Sequence, residues 1–326
     1  MTAMPSEISA AQAQWFQQSF DAMADNIERA VLGKRHQIQL TLTCLLSGGH
    51  LLIEDLPGTG KTMLARALAN TVDGSHARIQ FTPDLLPSDV TGVTVYDQHK
   101  GTFDFHPGPI FHQLVLADEI NRASPKTQSA LLEVMEEGQV TVDGVTHVVE
   151  QPFMVIGTQN PVEQAGTYRL PEAQLDRFLM KISLGYPDAE STEEMLLGSQ
   201  LRDRASVLSP IASADTLVQM RSLAAAVHVD RAIAAYVRRI AEASRELNHV
   251  KVGLSARGAL AFIRVVKTWA LASGRTHVVP EDIRTLAVPV LNHRLLLDGQ
   301  AQFSGVAVEQ VIAELMASVP PPADRG

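Results

Sequence analysis

The sequence predicts an α/β protein in which a parallel-sheet domain precedes a smaller, all-helical domain. Short, continuous apolar runs alternate with helical patterns up to residue 184, and such runs are typical of strands buried on both faces of a parallel sheet. Beyond Gly185-Tyr186-Pro187 only helical patterns remain, and no strand pattern is found. We therefore expect a sheet domain with an N-terminal helix over 1–187 and an all-α domain over 188–326, ending in a proline-rich tail.

The chain opens with two helical stretches. Apolar residues recur at helical spacing over 6–31 and again over 37–46. Leu51–Glu54 is the first predicted strand, and a helix follows its loop to about Val72. A second strand is predicted over 77–81.

Residues 92–105 interrupt the alternation of strands and helices. Two alternating stretches flank Asp97-Gln98-His99-Lys100-Gly101, a pattern typical of a hairpin. A second hairpin is predicted over 139–149, with its turn at Asp143-Gly144. The first hairpin stands where a plain nucleotide-binding fold would continue through a helix to the next strand, so we interpret it as an insertion.

The remaining elements complete the two domains. In the first domain they are a strand at 114–117, a helix at 125–137, a strand at 153–156, a short helix at 171–177 and a strand at 178–184. In the second domain we predict helices at about 189–201, 214–225, 230–247, 256–272, 280–294 and 306–317.

The loop after the first strand has the composition of a phosphate-binding loop. Backbone N–H groups of such a loop can cradle phosphate oxygens, and the following helix adds its partial positive charge. Lys61 would reach the β- and γ-phosphates, and the Thr62 hydroxyl would hold Mg²⁺. The usual pattern begins with glycine where this chain has Asp55. We expect nucleotide contacts from Pro57, Gly58, Thr59, Gly60, Lys61, Thr62 and Met63.

Two further strands end in polar residues that suit ATP hydrolysis. Asp118 follows an apolar strand and could hold Mg²⁺, while Glu119 could activate the attacking water. The alternative, that both acids merely cap the following turn, is less favoured downstream of a phosphate-binding loop. Asn160 could bind the γ-phosphate or orient the water, or it could be a turn residue before Pro161, and spacing alone leaves both open.

Composition narrows the class of protein. The 326 residues carry a net charge of −9, which argues against a dedicated binder of nucleic acid or anionic membrane. Cys44 is the only cysteine and lies among leucines, so we expect a buried thiol and no disulfide. No apolar run approaches the roughly 18 residues of a membrane helix, and the first cation is Arg29, so no targeting segment is indicated. We expect a cytoplasmic protein.

Four longer motifs carry a family resemblance. They are Gln80–Asp89 (QFTPDLLPSD), Ala117–Ala123 (ADEINRA), Thr158–Pro161 (TQNP) and Leu170–Leu179 (LPEAQLDRFL). Over residues 30–185 the chain closely resembles the MoxR family of AAA+ ATPases, and the likeness continues more weakly through 253–257 and 280–295.

The resemblance implies a three-layer AAA+ sheet domain with a helix-2 insert at 92–105, followed by an all-α lid. It also implies a role for each matching residue. Lys61 and Thr62 would be the Walker A residues, Asp118 and Glu119 the Walker B residues, Asn160 sensor 1, Arg177 the arginine finger for the ATP of a neighbouring subunit, Arg257 sensor 2 in the lid, and Val31 and Gly33 contacts of the adenine. The family more often has glutamine at Lys34 and proline at Arg169 and Ala256.

The resemblance implies a hexameric, chaperone-like ATPase that remodels protein partners, typically proteins with a von Willebrand A domain. An alternative is a nucleic-acid-translocating AAA+ motor of the helicase or clamp-loader type. The hairpins disfavour that alternative, because 92–105 carries Lys100 as its only lysine or arginine and 139–149 carries none. A third possibility is an ATP-gated binding module with little hydrolysis.

Overall fold

A five-stranded parallel sheet forms the centre of the protein. The structure is a computed structural model and describes residues 8–161, 168–197 and 203–322. Its strands are β1 (Leu51–Glu54), β2 (His76–Gln80), β3 (Gly92–Asp97), β4 (Thr102–Pro107), β5 (Leu114–Asp118), β6 (Gln139–Val142), β7 (Val145–Val148), β8 (Met154–Gln159), β9 (Met180–Ile182), β10 (Val250–Val252) and β11 (Leu296–Leu297).

The helices surround this sheet and form most of the chain beyond residue 188. They are α1 (Ala10–Glu28), α2 (Arg35–Leu46), α3 (Lys61–Thr71), α4 (Pro87–Thr91), α5 (Pro125–Glu137), α6 (Glu172–Leu175), α7 (Ala189–Leu197), α8 (Ala214–Ala226), α9 (Arg231–Ser244), α10 (Ala256–Ala272), α11 (Pro280–Leu291), α12 (Gly299–Phe303) and α13 (Val308–Ser318). No helix in these described ranges is long and apolar enough to cross a membrane.

The order of the sheet is β2-β5-β8-β1-β9, and every pairing is parallel. The carboxyl ends of β5, β8 and β1 therefore lie side by side at one edge of the sheet. In open parallel sheets, ligands bind outside this carboxyl edge. The order thus brings together the loop after β1, the acids at the end of β5 and Asn160 after β8.

Alternate residues of each strand pack into two hydrophobic cores, one on each face of the sheet, as expected for a three-layer fold. Leu51 and Ile53 pack with α1, α2, α3 and lid helices, whereas Leu52 packs with α5 on the other face. The first core runs without a break from the sheet to Phe262 of α10 and Leu286 of α11. The predicted α/β sheet domain followed by a helical lid is confirmed.

Both predicted hairpins form. β3 pairs with β4 and β6 pairs with β7, each pair antiparallel. The ring of Phe105 in the first hairpin stacks on His147 of the second, with ring centroids 3.9 Å apart. Tyr96 and Phe103 form a second aromatic pair, at 5.1 Å, and both are exposed. The insertion therefore presents an apolar, aromatic tip to the surface.

The prediction that no strand follows residue 185 is wrong. β10 and β11 form a small antiparallel sheet in the lid, with Val250 paired to Leu297. Strands of three and two residues are too short to show an alternating pattern, and their pairing joins distant parts of the chain. The short helices α4 and α12 were also not predicted.

Several helix ends differ from the predicted ones. α1 begins at Ala10 because Ser9 and Gln12 form a reciprocal capping box, with contacts of 3.2 and 2.9 Å. Residues 6–7 of the first predicted helix and 198–201 of the first lid helix lie outside the described residues. Cys44 is fully buried, as predicted, and burial raises the pKa of its thiol to about 12.

Candidate nucleotide-binding site

The loop between β1 and α3 has the backbone of a phosphate cradle. Gly58 and Gly60 adopt φ values of +81° and +93°, in the left-handed region where any side chain is strained. α3 begins at Lys61, directly after Gly60, so its first N–H groups face the loop. The loop therefore has the local structure that binds phosphate in proteins.

Lys61 folds back over this loop. Its Nζ donates to the carbonyl oxygen of Asp55 at 2.7 Å and to that of Leu56 at 3.3 Å. The Thr59 hydroxyl donates to the same Leu56 oxygen at 3.2 Å. A phosphate group in the cradle offers Lys61 a charged acceptor in place of neutral carbonyl groups, and hydrogen bonds between charged groups are the stronger ones.

Asp55, the residue that departs from the usual loop pattern, joins the loop to the linker between the sheet domain and the lid. Its buried Oδ2 accepts the N–H groups of Leu184 at 2.8 Å and Gly185 at 2.7 Å, and the Ser183 hydroxyl at 3.3 Å. Its Oδ1 accepts the N–H of Leu56 at 2.9 Å. Asp55 thus has a structural role that glycine could not supply.

The segment predicted to contact the adenine also contacts the linker between the sheet domain and the lid. Gly33 has φ +65°, and a Cβ on it would lie 2.3 Å from Ser191 Oγ, so only glycine fits there. Nζ of the buried Lys34 donates to the carbonyl oxygen of Tyr186 at 2.6 Å. Val31 is buried in the first core. The departure at Lys34 therefore fastens this segment to the linker between sheet and lid.

The acids at the end of β5 are held by hydrogen bonds. The Thr158 hydroxyl of β8 donates to Asp118 Oδ1 at 2.5 Å and accepts the Glu119 N–H at 2.9 Å. Glu119 has φ +57°, a strained value for a residue other than glycine. Strain of this kind persists where the surrounding structure imposes it, and it clusters at functional sites.

Two residues of β2 that sequence reasoning missed also contact these acids. Arg78 Nη2 lies 2.6 Å from Asp118 Oδ2, and Gln80 Nε2 donates to Glu119 Oε2 at 3.0 Å. Arg122 Nη1 reaches the same Glu119 oxygen at 2.9 Å. Only the strand register could have indicated these contacts, because β2 pairs with β5 so that Gln80 stands opposite Asp118.

The oxygen donors here suit Mg²⁺. The hydroxyl of Thr62 and the carboxylate of Asp118 are hard oxygen ligands of the kind that Mg²⁺ prefers. Thr62 and Arg78 line one cavity of about 360 Å³, and Arg78 pairs with Asp118. The oxygen donors of Thr62 and Asp118 therefore suit a divalent cation, which would compete with Arg78 for the carboxylate.

Asn160 follows β8 and is buried. Since β8 lies between β1 and β5, Asn160 stands at the carboxyl edge between the phosphate cradle and the acid pair. Seven predicted residues therefore share this edge. They are Gly58, Gly60, Lys61, Thr62, Asp118, Glu119 and Asn160.

The two predicted arginines lie at the opposite edge of the sheet. Arg177 Nε is 2.9 Å from Glu136 Oε2, and Arg257 Nη1 is 3.0 Å from Glu136 Oε1. His50, which precedes β1, accepts the Leu179 N–H at its carbonyl and contacts the Met135 carbonyl through Nε2. These contacts assign Glu136, Arg177 and Arg257 to the amino edge.

The segment that carries Arg177 is held from the lid. Arg294 Nε donates to Asp176 Oδ1 at 2.7 Å, and its Nη2 donates to the Phe178 carbonyl at 2.8 Å. His293 Nε2 donates to the same carbonyl at 2.8 Å, and burial holds the His293 pKa well below its usual value, so the ring is neutral. These contacts hold the loop between α6 and β9 in place.

Comparison with known proteins matches both parts of the chain to known domains. Residues 50–180 match the ATPase family associated with various cellular activities (AAA), and residues 242–315 match the AAA lid domain. YeaC of Bacillus subtilis is 46% identical over 92% of this chain and 94% of its own length. Chaperone MoxR1 of Mycobacterium tuberculosis is 40% identical over 90% of this chain and 80% of its own length.

A solved structure has the same fold. The crystal structure of a protein from Cytophaga hutchinsonii, described there as an ATPase, has a TM-score of 0.88 and 38% sequence identity, and the match covers 95% of this chain and 97% of that one. Together with the AAA and lid matches and the 40% identity to MoxR1, this likeness extends over nearly the whole chain. The chain belongs to the MoxR family of AAA+ ATPases, enzymes that hydrolyse ATP.

Proposed function

We propose that adjacent copies of this chain share each ATP site. One copy supplies the loop from Pro57 to Met63, together with Asp118, Glu119 and Asn160, and its neighbour supplies Arg177 and Arg257. The observation that carries this proposal is the position of both arginines at the amino edge of the sheet, whereas the cradle lies at the carboxyl edge. A five-residue strand such as β5 separates the two edges by on the order of 15 Å, so an arginine cannot serve its own cradle.

Each group has a chemical task in this site. Lys61 and the loop N–H groups bind the β- and γ-phosphates, and Thr62 and Asp118 hold Mg²⁺, which when bound neutralises phosphate charge. Asn160 orients the attacking water, and Glu119 accepts its proton. Arg177 and Arg257 of the neighbour stabilise charge that develops on the transferred phosphoryl group. Val31 and Gly33 contact the adenine.

The arrangement favours a closed ring. Two halves of a site on opposite edges of one chain meet through a head-to-tail contact, and such contacts close into rings when the rotation permits. We propose a homohexamer, as the family resemblance implies. Hydrolysis would then depend on assembly, because a lone subunit lacks the arginines of its neighbour.

Protein clients fit the surface better than nucleic acid does. Lys100, at the turn of the first hairpin, lies 3.4 Å from Asp97 and 3.0 Å from Asp104, so its charge is already balanced. The exposed aromatic pair Tyr96 and Phe103 offers apolar contact area beside it. We propose that the ring remodels protein partners, with von Willebrand A domain proteins as the class implied by the resemblance.

Mixing two inactive variants tests the shared site. Arg177→Ala retains an intact cradle, and Lys61→Ala retains intact arginines, so each alone should be inactive while mixed rings regain ATP hydrolysis. Arg238→Ala, whose side chain pairs with Glu242 on its own helix, is the control and should keep full activity. Full turnover by Arg177→Ala alone, or no recovery in rings shown to contain both variants, would refute the proposal.

A separate measurement addresses the nucleic-acid alternative. Contacts with phosphate backbones weaken steeply as salt rises, so binding of single- or double-stranded DNA should be followed across a salt series. We expect no salt-dependent binding. Tight binding that weakens with salt would favour the motor instead.

A further inference from the structure

One carboxylate joins the two arginines that the shared site requires. Glu136, in the last turn of α5, receives Arg177 Nε on Oε2 at 2.9 Å and Arg257 Nη1 on Oε1 at 3.0 Å. Arg177 belongs to the sheet domain and Arg257 to the first turn of α10 in the lid. Neither the position of Glu136 in the sequence nor any motif indicated this contact.

The Glu136 carboxylate lies beside a group of four arginines. Arg177, Arg257, Arg264 and Arg294 line one cavity of about 260 Å³, with Asp176 as the acidic residue of that lining. Asp176 is already engaged by Arg294 at 2.7 Å. Like charges that line one cavity repel each other. Glu136 therefore supplies the negative charge that allows Arg177 and Arg257 to converge.

We propose that Glu136 is a positioning residue that aligns Arg177 and Arg257 as one unit toward the γ-phosphate of the neighbouring subunit. The inference rests on the proposed shared site. Glu136 engages one nitrogen of each guanidinium, and each guanidinium carries five N–H donors, so both can hold Glu136 and phosphate together. The carboxylate does not touch the substrate and acts through the arginines.

The lid and the sheet domain are coupled by the same contact. The Arg257 side chain is 52% exposed and flexible, so a fixed partner limits the rotamers that it samples. Catalysis by oriented groups depends on such preorganisation, and a displacement of about 1 Å can cost on the order of 100-fold in rate. Glu136 holds the lid arginine at the position set by the sheet-domain arginine.

Glu136→Gln tests the alignment. An amide has a single acceptor oxygen, and its NH₂ group would face a guanidinium donor, so glutamine cannot hold both arginines. We expect kcat to fall about tenfold, with KM for ATP, thermal stability and ring assembly unchanged. Glu137→Gln, at the next and exposed residue of α5, is the matched control and should match the wild type.

A mixing experiment separates positioning from a merely structural role. Rings mixed from Glu136→Gln and Lys61→Ala subunits should regain turnover, since the second variant brings an intact Glu136 to the neighbouring site. In an Arg257→Ala background, Glu136→Gln should cost less than in the wild type, because residues acting as one unit are not additive.

The outcomes distinguish this inference from the function on which it rests. If Arg177→Ala is not rescued by mixing, the shared site itself is refuted. If Arg177→Ala is rescued but Glu136→Gln turns over at the wild-type rate, is not rescued, or is fully additive with Arg257→Ala, only the positioning role is overturned.

Discussion

Arg78 forms an ion pair with Asp118, and its Nη2 lies 2.6 Å from Asp118 Oδ2. The other carboxylate oxygen, Oδ1, accepts the Thr158 hydroxyl. The acid expected to hold Mg²⁺ is therefore balanced by a cation of the protein. Since Arg78 and a metal ion would be attracted to the same carboxylate, the two compete.

Removing this competitor should change the magnesium requirement. In Arg78→Gln we expect half-maximal ATP hydrolysis at an about threefold lower Mg²⁺ concentration, because an ion pair whose arginine is half-exposed contributes roughly 0.5–1 kcal/mol. Binding of a fluorescent nucleotide at varied Mg²⁺ gives a readout independent of turnover. Arg66→Gln, which removes an ion pair with Asp203 of the same 2.6 Å length, is the control. A raised Mg²⁺ requirement would show that Arg78 assists the site instead.

Glu119→Gln should separate ATP binding from hydrolysis. The amide cannot accept the proton of the attacking water, so kcat should fall by about 10²–10⁴-fold while nucleotide affinity is kept. Single-turnover phosphate release and nucleotide binding measure the two effects. The ATP-bound variant should also retain its protein partner in a pull-down that the Lys61→Ala variant fails, and identification of that partner tests the von Willebrand A expectation. Near-normal turnover would remove Glu119 from the proposed mechanism.

Asp55→Asn should weaken the contact between the phosphate loop and the linker that leads to the lid. Asparagine offers one acceptor oxygen where Asp55 uses two to receive the N–H groups of Leu184, Gly185 and Leu56. We expect the free energy of unfolding to fall by about 2 kcal/mol, as for loss of buried hydrogen bonds to a charged group. Chemical denaturation measures this change, and the exposed Asp73→Asn is the control. An unchanged unfolding midpoint would contradict the role assigned to Asp55.

Stability should fall as the solution becomes mildly acidic. His50 accepts the Val155 N–H at Nδ1, and burial lowers its pKa to about 4 from 6.5. The unfolded chain therefore takes up the proton first, so this contribution is complete above pH 6.5 and is lost as pH falls toward 4. At about pH 5.5 the loss is about 1 kcal/mol. His293, whose pKa burial and Arg294 also lower, acts in the same direction.

Unfolding measured from about pH 5.5 to 7.5 checks this prediction. His50→Gln should flatten the dependence of stability on pH, whatever it does to stability at neutral pH. The exposed His99→Gln should leave the slope unchanged. An equal slope in the wild type and His50→Gln would mean that His50 is not the group responsible.

The sequence predicted the elements that repeat a local pattern. The apolar runs identified the sheet strands, and the loop glycines identified the cradle, because backbone conformation at Gly58 and Gly60 restricts the residue type. The helix 125–137 had the bounds observed for α5, since Pro125 and Gly138 suit its two ends.

The contacts that could not be predicted join residues that lie far apart in the sequence. Arg78 meets Asp118 only because β2 adds to the sheet beside β5, and Glu136 meets Arg257 only because the lid folds back on α5. The role of Asp55 could not be read from the loop pattern, since its partners at Leu184 and Gly185 lie far along the chain. Neither propensity nor periodicity carries such information.

The hydrophobic core that continues from the sheet into the lid helices limits where the protein can bend. Phe262 and Leu286 of the lid pack in the same cluster as Phe16 of α1 and Ile53 of β1. Opening the joint within one subunit would expose this apolar surface to water, at a cost of roughly 25 cal/mol for each Å². Each copy should therefore move as a rigid body. In the proposed ring, the movements that act on a client should then arise at the interfaces between copies.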